Sequence, residues 1–322
     1  MKAFDYARAA TPADAIGTDA RIIAGGTNLL DLMKLQVETP ARLIDINHVG
    51  LDGVERDGEG LRIGALVRNS DLAAHPAVRQ DCPLLSRAIL AGASPQLRNR
   101  ATTGGNLMQR TRCYYFYDVD APCNKRVPGS GCGAIGGVNR IHAILGASDH
   151  CIATYPGDMA VALSALDAVV EVEGPGGRRE IAATDFHRLP GDRPDLDTEL
   201  QPGEMILSVR LPAPLGGRQI YRKVRDRRSY AFALVSVAAV VTMRAGRMDR
   251  VRLAFGNVAH KPWRAPAAEQ MLTGQAPSPE LFARAAEAVL EGARGQGHND
   301  FKIPLLRRTL AAVLAEAVQE TE

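Results

Sequence analysis

The stretch AGGTNLLDL (24–32) is the most informative part of the sequence about the fold, because it contains a strand end, a glycine turn and a helix start in succession. The β-branched run RIIAG (21–25) leads into it and RLIDI (42–46) follows it, with helically spaced apolar residues between them. This order predicts a βαβ-like unit. Glycines let backbone amides approach a ligand closely, and Thr27 and Asn28 add polar groups. The motif therefore predicts a phosphate or pyrophosphate site.

A second motif further along the chain repeats these residue types. RNRATTGGNLMQ (98–109) contains two threonines, two glycines and Asn106. A single Gly-Gly pair indicates only a turn. Because the chain contains two such Thr/Gly/Gly/Asn clusters, a simple turn and a phosphate-binding loop both stay open as interpretations of these motifs.

The chain also contains a G-x-G-x-x-G string at Gly131, Gly133 and Gly136. A dinucleotide fingerprint needs a strand before it and a helix after it. This string follows no strand pattern, encloses Cys132 and looks like a loop. We therefore predict no Rossmann-type NAD site.

Composition and length narrow the class of protein. The 322 residues are 46% hydrophobic and carry a formal charge of +3, which gives no argument for nucleic acid or an anionic membrane surface. No apolar run is long enough for a membrane span. The N-terminus MKAFDYARAA shows no export signal, so we expect a cytoplasmic protein, or a periplasmic one that is exported with a signal-bearing partner.

Hydrophobic patterning separates three regions, residues 1–55, 56–215 and 216–322. The second region contains a Gly/Cys-rich insertion at about 108–154. The third begins with two long strand candidates, 230–243 and 247–258, and ends with two helices, of which the first starts with a cap at Ser278 followed by Pro279. We predict an α+β fold in which an α/β region of two parts precedes a small C-terminal domain of antiparallel strands and helices.

Four of the five cysteines lie in the insertion, at Cys113, Cys123, Cys132 and Cys151. Their spacing, C-x9-C-x8-C-x18-C, lacks the short pairs of most zinc sites and suits a loop around an iron–sulfur cluster. From spacing alone an iron–sulfur cluster, zinc and ordinary thiols or disulfides all stay open. Cys82 stands apart and is interpreted as a small buried hydrophobic residue.

Several motifs together resemble the FAD-binding middle subunit of the xanthine dehydrogenase/aldehyde oxidoreductase family of molybdenum hydroxylases. The resemblance runs nearly end to end. It implies a PCMH-type, vanillyl-alcohol-oxidase-like FAD fold and an electron-transfer role without a catalytic side chain of its own. The matching segments are AGGTNLL (24–30), RNRATTGGNL (98–107), YPGDMAVALSALDA (155–168), GEMILSVRLP (203–212) and YRKVRDRRSYAFALVSVAAV (221–240).

The resemblance also implies which residues bind FAD. The two glycine loops hold the pyrophosphate, Asp158 binds polar FAD atoms, Lys223 lies close to the flavin and Leu207 packs on the flavin region. The FAD-binding set implied in this way is Ile23, Ala24, Gly25, Gly26, Thr27, Asn28, Leu29, Leu30, Thr102, Thr103, Gly104, Gly105, Asn106, Asp158, Leu207 and Lys223.

The insertion departs from the commonest family pattern and is similar to one in the FAD subunit of bacterial periplasmic aldehyde oxidoreductases. That similarity implies a [4Fe–4S] cluster on the four clustered cysteines. Hydroxybenzoyl-CoA reductase has a cluster with different cysteine spacing and is the less similar relative. His142 and His150 of the insertion are interpreted as hydrogen-bonding side chains, with contact to the cluster as the alternative.

The family implies a heterotrimer with a large molybdopterin-binding subunit and a small [2Fe–2S] subunit. We expect an aldehyde oxidoreductase whose electrons reach FAD and then an acceptor other than NAD, with a xanthine dehydrogenase or hydroxybenzoyl-CoA-reductase-like enzyme as the alternative. Two rival classes are a stand-alone flavin oxidase and a zinc-binding assembly protein. The first predicts a His or Cys for covalent flavin attachment near residues 24–28, and none is there.

Overall fold

The computed structural model describes residues 1–319. Strands and helices alternate in the first two thirds of the chain, and helices close it. The strands are β1 (Asp5–Arg8), β2 (Arg21–Ile23), β3 (Arg42–Asp45), β4 (Val54–Asp57), β5 (Gly60–Gly64), β6 (Val169–Gly174), β7 (Gly177–Ala182), β8 (Met205–Leu211), β9 (Arg218–Val224), β10 (Val235–Arg244), β11 (Arg247–Gly256) and β12 (Trp263–Arg264).

A 3-10 turn at Pro12–Asp14 precedes the helices. The helices are α1 (Leu29–Lys34), α2 (Asn69–Ala74), α3 (Pro76–Asp81), α4 (Pro83–Ala91), α5 (Pro95–Arg98), α6 (Thr103–Leu107), α7 (Tyr114–Tyr117), α8 (Asp158–Ala165), α9 (Ala183–Phe186), α10 (Pro266–Leu272), α11 (Pro279–Val289) and α12 (Lys302–Ala317).

The N-terminal part is a small parallel sheet in the order β1-β3-β2. Strand β2 pairs in parallel with β3, with Ile22 opposite Ile44, and α1 connects the two. The predicted βαβ unit is thereby confirmed. Gly26 has a φ of +74°, a left-handed conformation that suits glycine, and it turns the chain from β2 toward α1.

The second part is a five-stranded antiparallel sheet in the order β4-β5-β8-β6-β7. Helix α8 is buried along its whole length and packs against α4 and against the C-terminal strands β10 and β11. Because α8 is apolar all round apart from Asp158 and Ser164, it forms a shared core rather than an amphipathic surface helix. The second and third parts of the chain are thus joined through α8.

The third part is an antiparallel sheet in the order β12-β11-β10-β9, covered by α10, α11 and α12. The Ser278 side chain accepts a hydrogen bond from the Leu281 amide, which confirms the predicted cap of α11. The strand predicted over 230–243 begins later, at Val235. Tyr230 has a left-handed φ of +50°, so the chain turns there instead of continuing the ladder.

The insertion contains little regular structure beyond α7. Its backbone is fixed by isolated bridges and by bonds to the C-terminal domain, where the Ile144 and Leu145 amides both donate to the Val258 carbonyl. The described residues confirm the predicted α+β class, whereas the exact domain boundaries stay a prediction. In residues 1–319, no helix has the length and apolar character needed to span a membrane.

Candidate functional site

A cavity of about 460 Å³ lies where the two glycine loops meet, within the size range of cofactor pockets. Both predicted loops contribute to its wall, together with the end of the loop before β8. Of the predicted FAD-binding residues, those that line it are Ile23, Ala24, Gly25, Gly26, Thr27, Asn28, Leu29, Thr102, Gly104 and Gly105.

The first loop presents unpaired backbone donors to this cavity. Within the described chain, the amides of Gly25, Gly26, Thr27 and Asn28 donate no hydrogen bond to another protein group. Backbone amides are strong donors that need partners, and a run of them along a turn forms a concave anion-binding nest. The donor chemistry of this loop therefore fits a pyrophosphate, and the binding of the group stays a prediction.

The second loop uses its polar groups differently. The amides of Thr103, Gly104 and Gly105 donate to Val67, Ala65 and the Thr102 hydroxyl respectively. The Thr103 hydroxyl donates to the Val67 carbonyl. The loop is therefore a wall of the cavity whose amides are already paired, and it does not repeat the donor chemistry of the first loop.

Gly25 shows why the two loops lie so close together. A Cβ atom built on Gly25 would lie 2.0 Å from the Arg100 carbonyl oxygen. Side chains do not approach backbone that closely, so only glycine permits this contact. The glycine serves loop-to-loop packing, and its missing side chain does not point at the ligand cavity.

A second group of predicted residues lies apart from this cavity. The Asp158 carboxylate accepts bonds from Lys223 Nζ at 2.7 Å and from the Tyr221 hydroxyl at 2.6 Å, and both ionic side chains are almost fully buried. Leu207 packs in a small core with Ile44 among others. Leu30, Thr103, Asn106, Asp158, Leu207 and Lys223 do not line the 460 Å³ cavity.

Both ends of the insertion contact the cofactor loops. The Tyr155 hydroxyl donates to the Asn106 carbonyl at 2.9 Å. At the other end, the Arg110 amide donates to Asn28 Oδ1 at 2.8 Å, and Asn28 Nδ2 lies 3.5 Å from the Tyr117 hydroxyl. The insertion is thus packed directly against the first glycine loop.

The four insertion cysteines converge on a second, small cavity, the cysteine cavity. Cys113, Cys123, Cys132 and Cys151 all line it. An antiparallel bridge pairs the backbones of Cys123 and Cys132, and a turn closed by a bridge at Ser148 presents Cys151. The fold therefore gathers four thiols that are widely separated in sequence.

All four thiols are free of disulfides, and three of them are buried. Burial raises the pKa of Cys113 to about 12 and that of Cys151 to about 11, so metal binding would have to displace their protons. No group of three or more His, Cys, Asp or Glu in residues 1–319 is arranged to hold a single metal ion. Cys82 is buried near the start of α4, away from the cluster of thiols, as predicted.

A chain of charged side chains joins the two cavities. Arg110 and Glu38 line the larger cavity and form an ion pair, while Lys125 lines the cysteine cavity. Asp197 accepts from Arg110 at 2.7 Å and from Lys125 at 2.5 Å. Burial would raise the pKa of Asp197, but Lys125 and Arg110 hold it well below its ordinary range.

Sequence reasoning missed this ion chain and also the environment of the buried histidines. Asp197 lies far from Arg110 and Lys125 in sequence, so no local pattern signals the contact. His142 lies with Nε2 3.1 Å from Cys113 Sγ, and burial lowers its pKa to about 4. The only available signal was its position among the clustered cysteines.

Two family models match the chain. A model described as FAD binding domain in molybdopterin dehydrogenase matches residues 2–214, and one described as CO dehydrogenase flavoprotein C-terminal domain matches residues 219–320.

Known proteins with similar sequences and structures cover nearly the whole chain. The aldehyde oxidoreductase FAD-binding subunit PaoB of Escherichia coli is 58% identical over 98% of this chain and 99% of its own length. The carbon monoxide dehydrogenase medium chain of Afipia carboxidovorans is 28% identical over 98% of both chains. The solved carbon monoxide dehydrogenase of Hydrogenophaga pseudoflava superimposes with a TM-score of 0.76 at 28% identity, covering 98% of this chain and 97% of that one.

Proposed function

This chain belongs to the FAD-binding medium subunits of the molybdenum hydroxylase family, and we propose that it is the FAD-carrying subunit of an aldehyde oxidoreductase. The observation that carries this proposal is the 58% identity with the aldehyde oxidoreductase subunit over 98% of the chain. In the proposed heterotrimer, a large subunit holds molybdopterin and oxidises the aldehyde, and a small subunit holds [2Fe–2S] clusters. We place the complex in the cytoplasm, or in the periplasm after export with a signal-bearing partner.

FAD supplies two-electron chemistry that can be split into single-electron steps. The residues of the first loop would hold its pyrophosphate through the unpaired amides of Gly25 to Asn28. The second loop would form the opposite wall of the cofactor cavity. Lys223 and Asp158, whose charges balance each other in an ion pair of 2.7 Å outside the cavity lining, would contact the flavin end of the cofactor. The chain's task is to hold and orient the cofactor and to exclude water.

We further propose that Cys113, Cys123, Cys132 and Cys151 hold a [4Fe–4S] cluster. All four thiols line one cavity and none is in a disulfide, which suits four thiolate ligands. Each thiolate of a cubane binds a different iron, so the sulfur atoms need not have the tight arrangement that a single ion requires. The free space in the cavity is about 10 Å³, about the space of one water molecule, so binding of a cluster would move the surrounding cysteine loops outward.

The position of the insertion supports an electron acceptor other than NAD. The insertion packs against the first glycine loop through Tyr117 and Arg110, and its far end contacts the second loop through Tyr155. A nicotinamide ring would need an open face of the flavin in the same neighbourhood. We therefore propose a one-electron acceptor, such as a ferredoxin, a quinone-like dye or oxygen.

Purification of the assembled complex tests this function. We expect a flavin absorption band with a broad iron–sulfur shoulder, co-purification of a large and a small chain, and turnover of aromatic aldehydes with dyes. A colourless, zinc-containing protein would favour an assembly role, and a flavoprotein that turns over alcohols without partners would favour an oxidase. Efficient formation of NADH would refute the proposed acceptor but not the FAD assignment.

A further inference from the structure

The contact between His142 and Cys113 lies outside the ring of proposed cluster ligands. His142 Nε2 is 3.1 Å from Cys113 Sγ, and both residues are buried. Cys113 lines the cysteine cavity, whereas His142 does not. The imidazole therefore contacts the sulfur of Cys113 without lining the cavity. This geometry supports a hydrogen bond from His142 to the ligand.

The chemistry of the contact fixes which group is the donor. A metal-bound thiolate has no hydrogen, so the hydrogen must come from the imidazole Nε2–H. Within the described residues, His142 Nδ1 is buried and has no hydrogen-bond partner. In a neutral ring that carries its hydrogen on Nε2, the single N–H donates to the sulfur. Nδ1 is then an acceptor without a partner, and no donor of the ring is left unpaired.

The C-terminal domain holds His142 in place. The His142 carbonyl oxygen accepts hydrogen bonds from Lys302 Nζ at 2.8 Å and from Asn299 Nδ2 at 3.1 Å. Its amide donates to the Asn139 carbonyl at 3.0 Å, and its ring meets the Tyr114 ring edge-on at a centroid distance of 6.4 Å. The side chain is thus positioned before any cluster is bound.

We propose that His142 is a positioning residue that donates a hydrogen bond to the Cys113 thiolate and thereby raises the reduction potential of the cluster. The inference rests on the proposed cluster. Reduction adds one electron, supplied by reduced FAD, and makes the cluster more negative. A hydrogen bond to a ligating sulfur stabilises the more negative state and so favours reduction. The Ala153 amide donates a longer bond, of 3.5 Å, to Cys151 Sγ.

A redox titration of the full chain, followed by electron paramagnetic resonance, tests the inference without any turnover assay. His142→Phe removes the donor and keeps a planar ring. We expect it to retain its iron while the ratio of reduced to oxidised cluster at a fixed potential falls about tenfold, a shift of about 59 mV for a one-electron couple. His142→Gln, which can place an amide N–H near the position of Nε2, should restore most of the potential.

The outcomes separate this inference from the cluster assignment. Full iron with an unchanged potential in His142→Phe overturns the role of His142 and leaves the cluster intact. If His142→Phe loses its iron, His142→Asn replaces it, because the shorter amide falls short of the sulfur. A potential for His142→Asn equal to that of His142→Gln then overturns the inference. An iron-free parent chain would refute the cluster, and this inference with it.

Discussion

Asp197 is the residue that joins the two cavities, because it accepts from Arg110 on one side and from Lys125 on the other. The Lys125 side chain is 1% exposed, so it relies on this carboxylate for its counter-charge. Removing one member of a buried ion pair leaves an uncompensated charge, which is costly. Asp197 itself keeps part of its side chain exposed, which reduces that cost.

We expect Asp197→Asn to lower the free energy of unfolding by about 3 kcal/mol, the lower end of the range for a broken buried pair. Chemical denaturation measures this loss. Asp195→Asn is the matched control, because Asp195 pairs with the exposed Arg193 and such surface pairs contribute about 0–1 kcal/mol. Equal effects of the two changes would show that Lys125 does not depend on Asp197.

The cysteines differ in role although most of them are buried. Cys132→Ser removes a proposed cluster ligand, and we expect the variant to lose most of its iron. Cys82→Ser alters a buried thiol that does not line the cysteine cavity, so its iron should stay at the parent level. Metal analysis of both purified variants checks this. Equal iron content in the two variants would contradict the assignment of the four insertion cysteines as cluster ligands.

Among the helices and strands, the first turn of α12 fixes the insertion to the C-terminal domain through hydrogen bonds. Lys302 is fully buried, and its Nζ lies within hydrogen-bond distance of the carbonyl oxygens of Ile141, His142 and Asn257, at 3.1, 2.8 and 2.7 Å. Burial lowers the pKa of Lys302 to about 7, from 10.5 for an ordinary lysine. Between pH 7 and 10.5, Lys302 is therefore largely protonated in the unfolded chain and largely neutral in the folded chain.

This difference predicts a pH dependence of stability. Because the unfolded state holds more protons between pH 7 and 10.5, the contribution of Lys302 to the free energy of unfolding rises with pH in that window, by up to about 1.4 kcal/mol per pH unit. Denaturation of the parent and of Lys302→Met across the window should show the parent gaining relative to the variant. Lys34→Met, at an exposed site, should show no such trend. A constant difference between parent and Lys302→Met would contradict the prediction.

The glycine loops act as one element because of the contact at Gly25. We expect Gly25→Ala to push the loops apart, to cost about 1–3 kcal/mol and to lower the FAD content together with the melting temperature. Gly176→Ala is the control, since a Cβ there has no neighbour within 4 Å. Parent-level FAD and melting temperature in Gly25→Ala would refute the packing role.

Sequence patterns predicted the elements that have a strong local period or cap. The βαβ unit at 21–46 and the Ser278 cap were correct because the determining residues are neighbours in sequence. The start of β10 was wrong because the loop after β9 passes through the left-handed Tyr230 and continues to residue 234, although residues 231–234 are apolar. The internal pairing of the amides in the second loop depends on Ala65 and Val67, which no motif at 98–109 reveals.

At the scale of the whole molecule, the insertion and the C-terminal domain form a continuous structure around the cofactor loops. The family motifs predicted the glycine loops, Asp158 and Lys223 as cofactor-binding residues, because these residues lie in recognisable segments, but they did not predict that Asp158 and Lys223 form a buried ion pair. They did not predict the ion chain through Asp197 or the support of His142 by Lys302, which connect parts of the chain that come together only in the fold. In this arrangement the cysteine cavity is linked to the cavity of the two glycine loops through the ion chain of Arg110, Asp197 and Lys125.

The most direct test of this account is the quantification of flavin and iron in the purified full chain. We expect one FAD per chain and about four iron atoms per FAD, the ratio that one [4Fe–4S] cluster requires. The two cofactors should also be lost separately, iron in Cys132→Ser and FAD in Gly25→Ala. A chain that binds FAD stoichiometrically but contains no iron, even when it is prepared without oxygen, would contradict the claim that one subunit carries both cofactors.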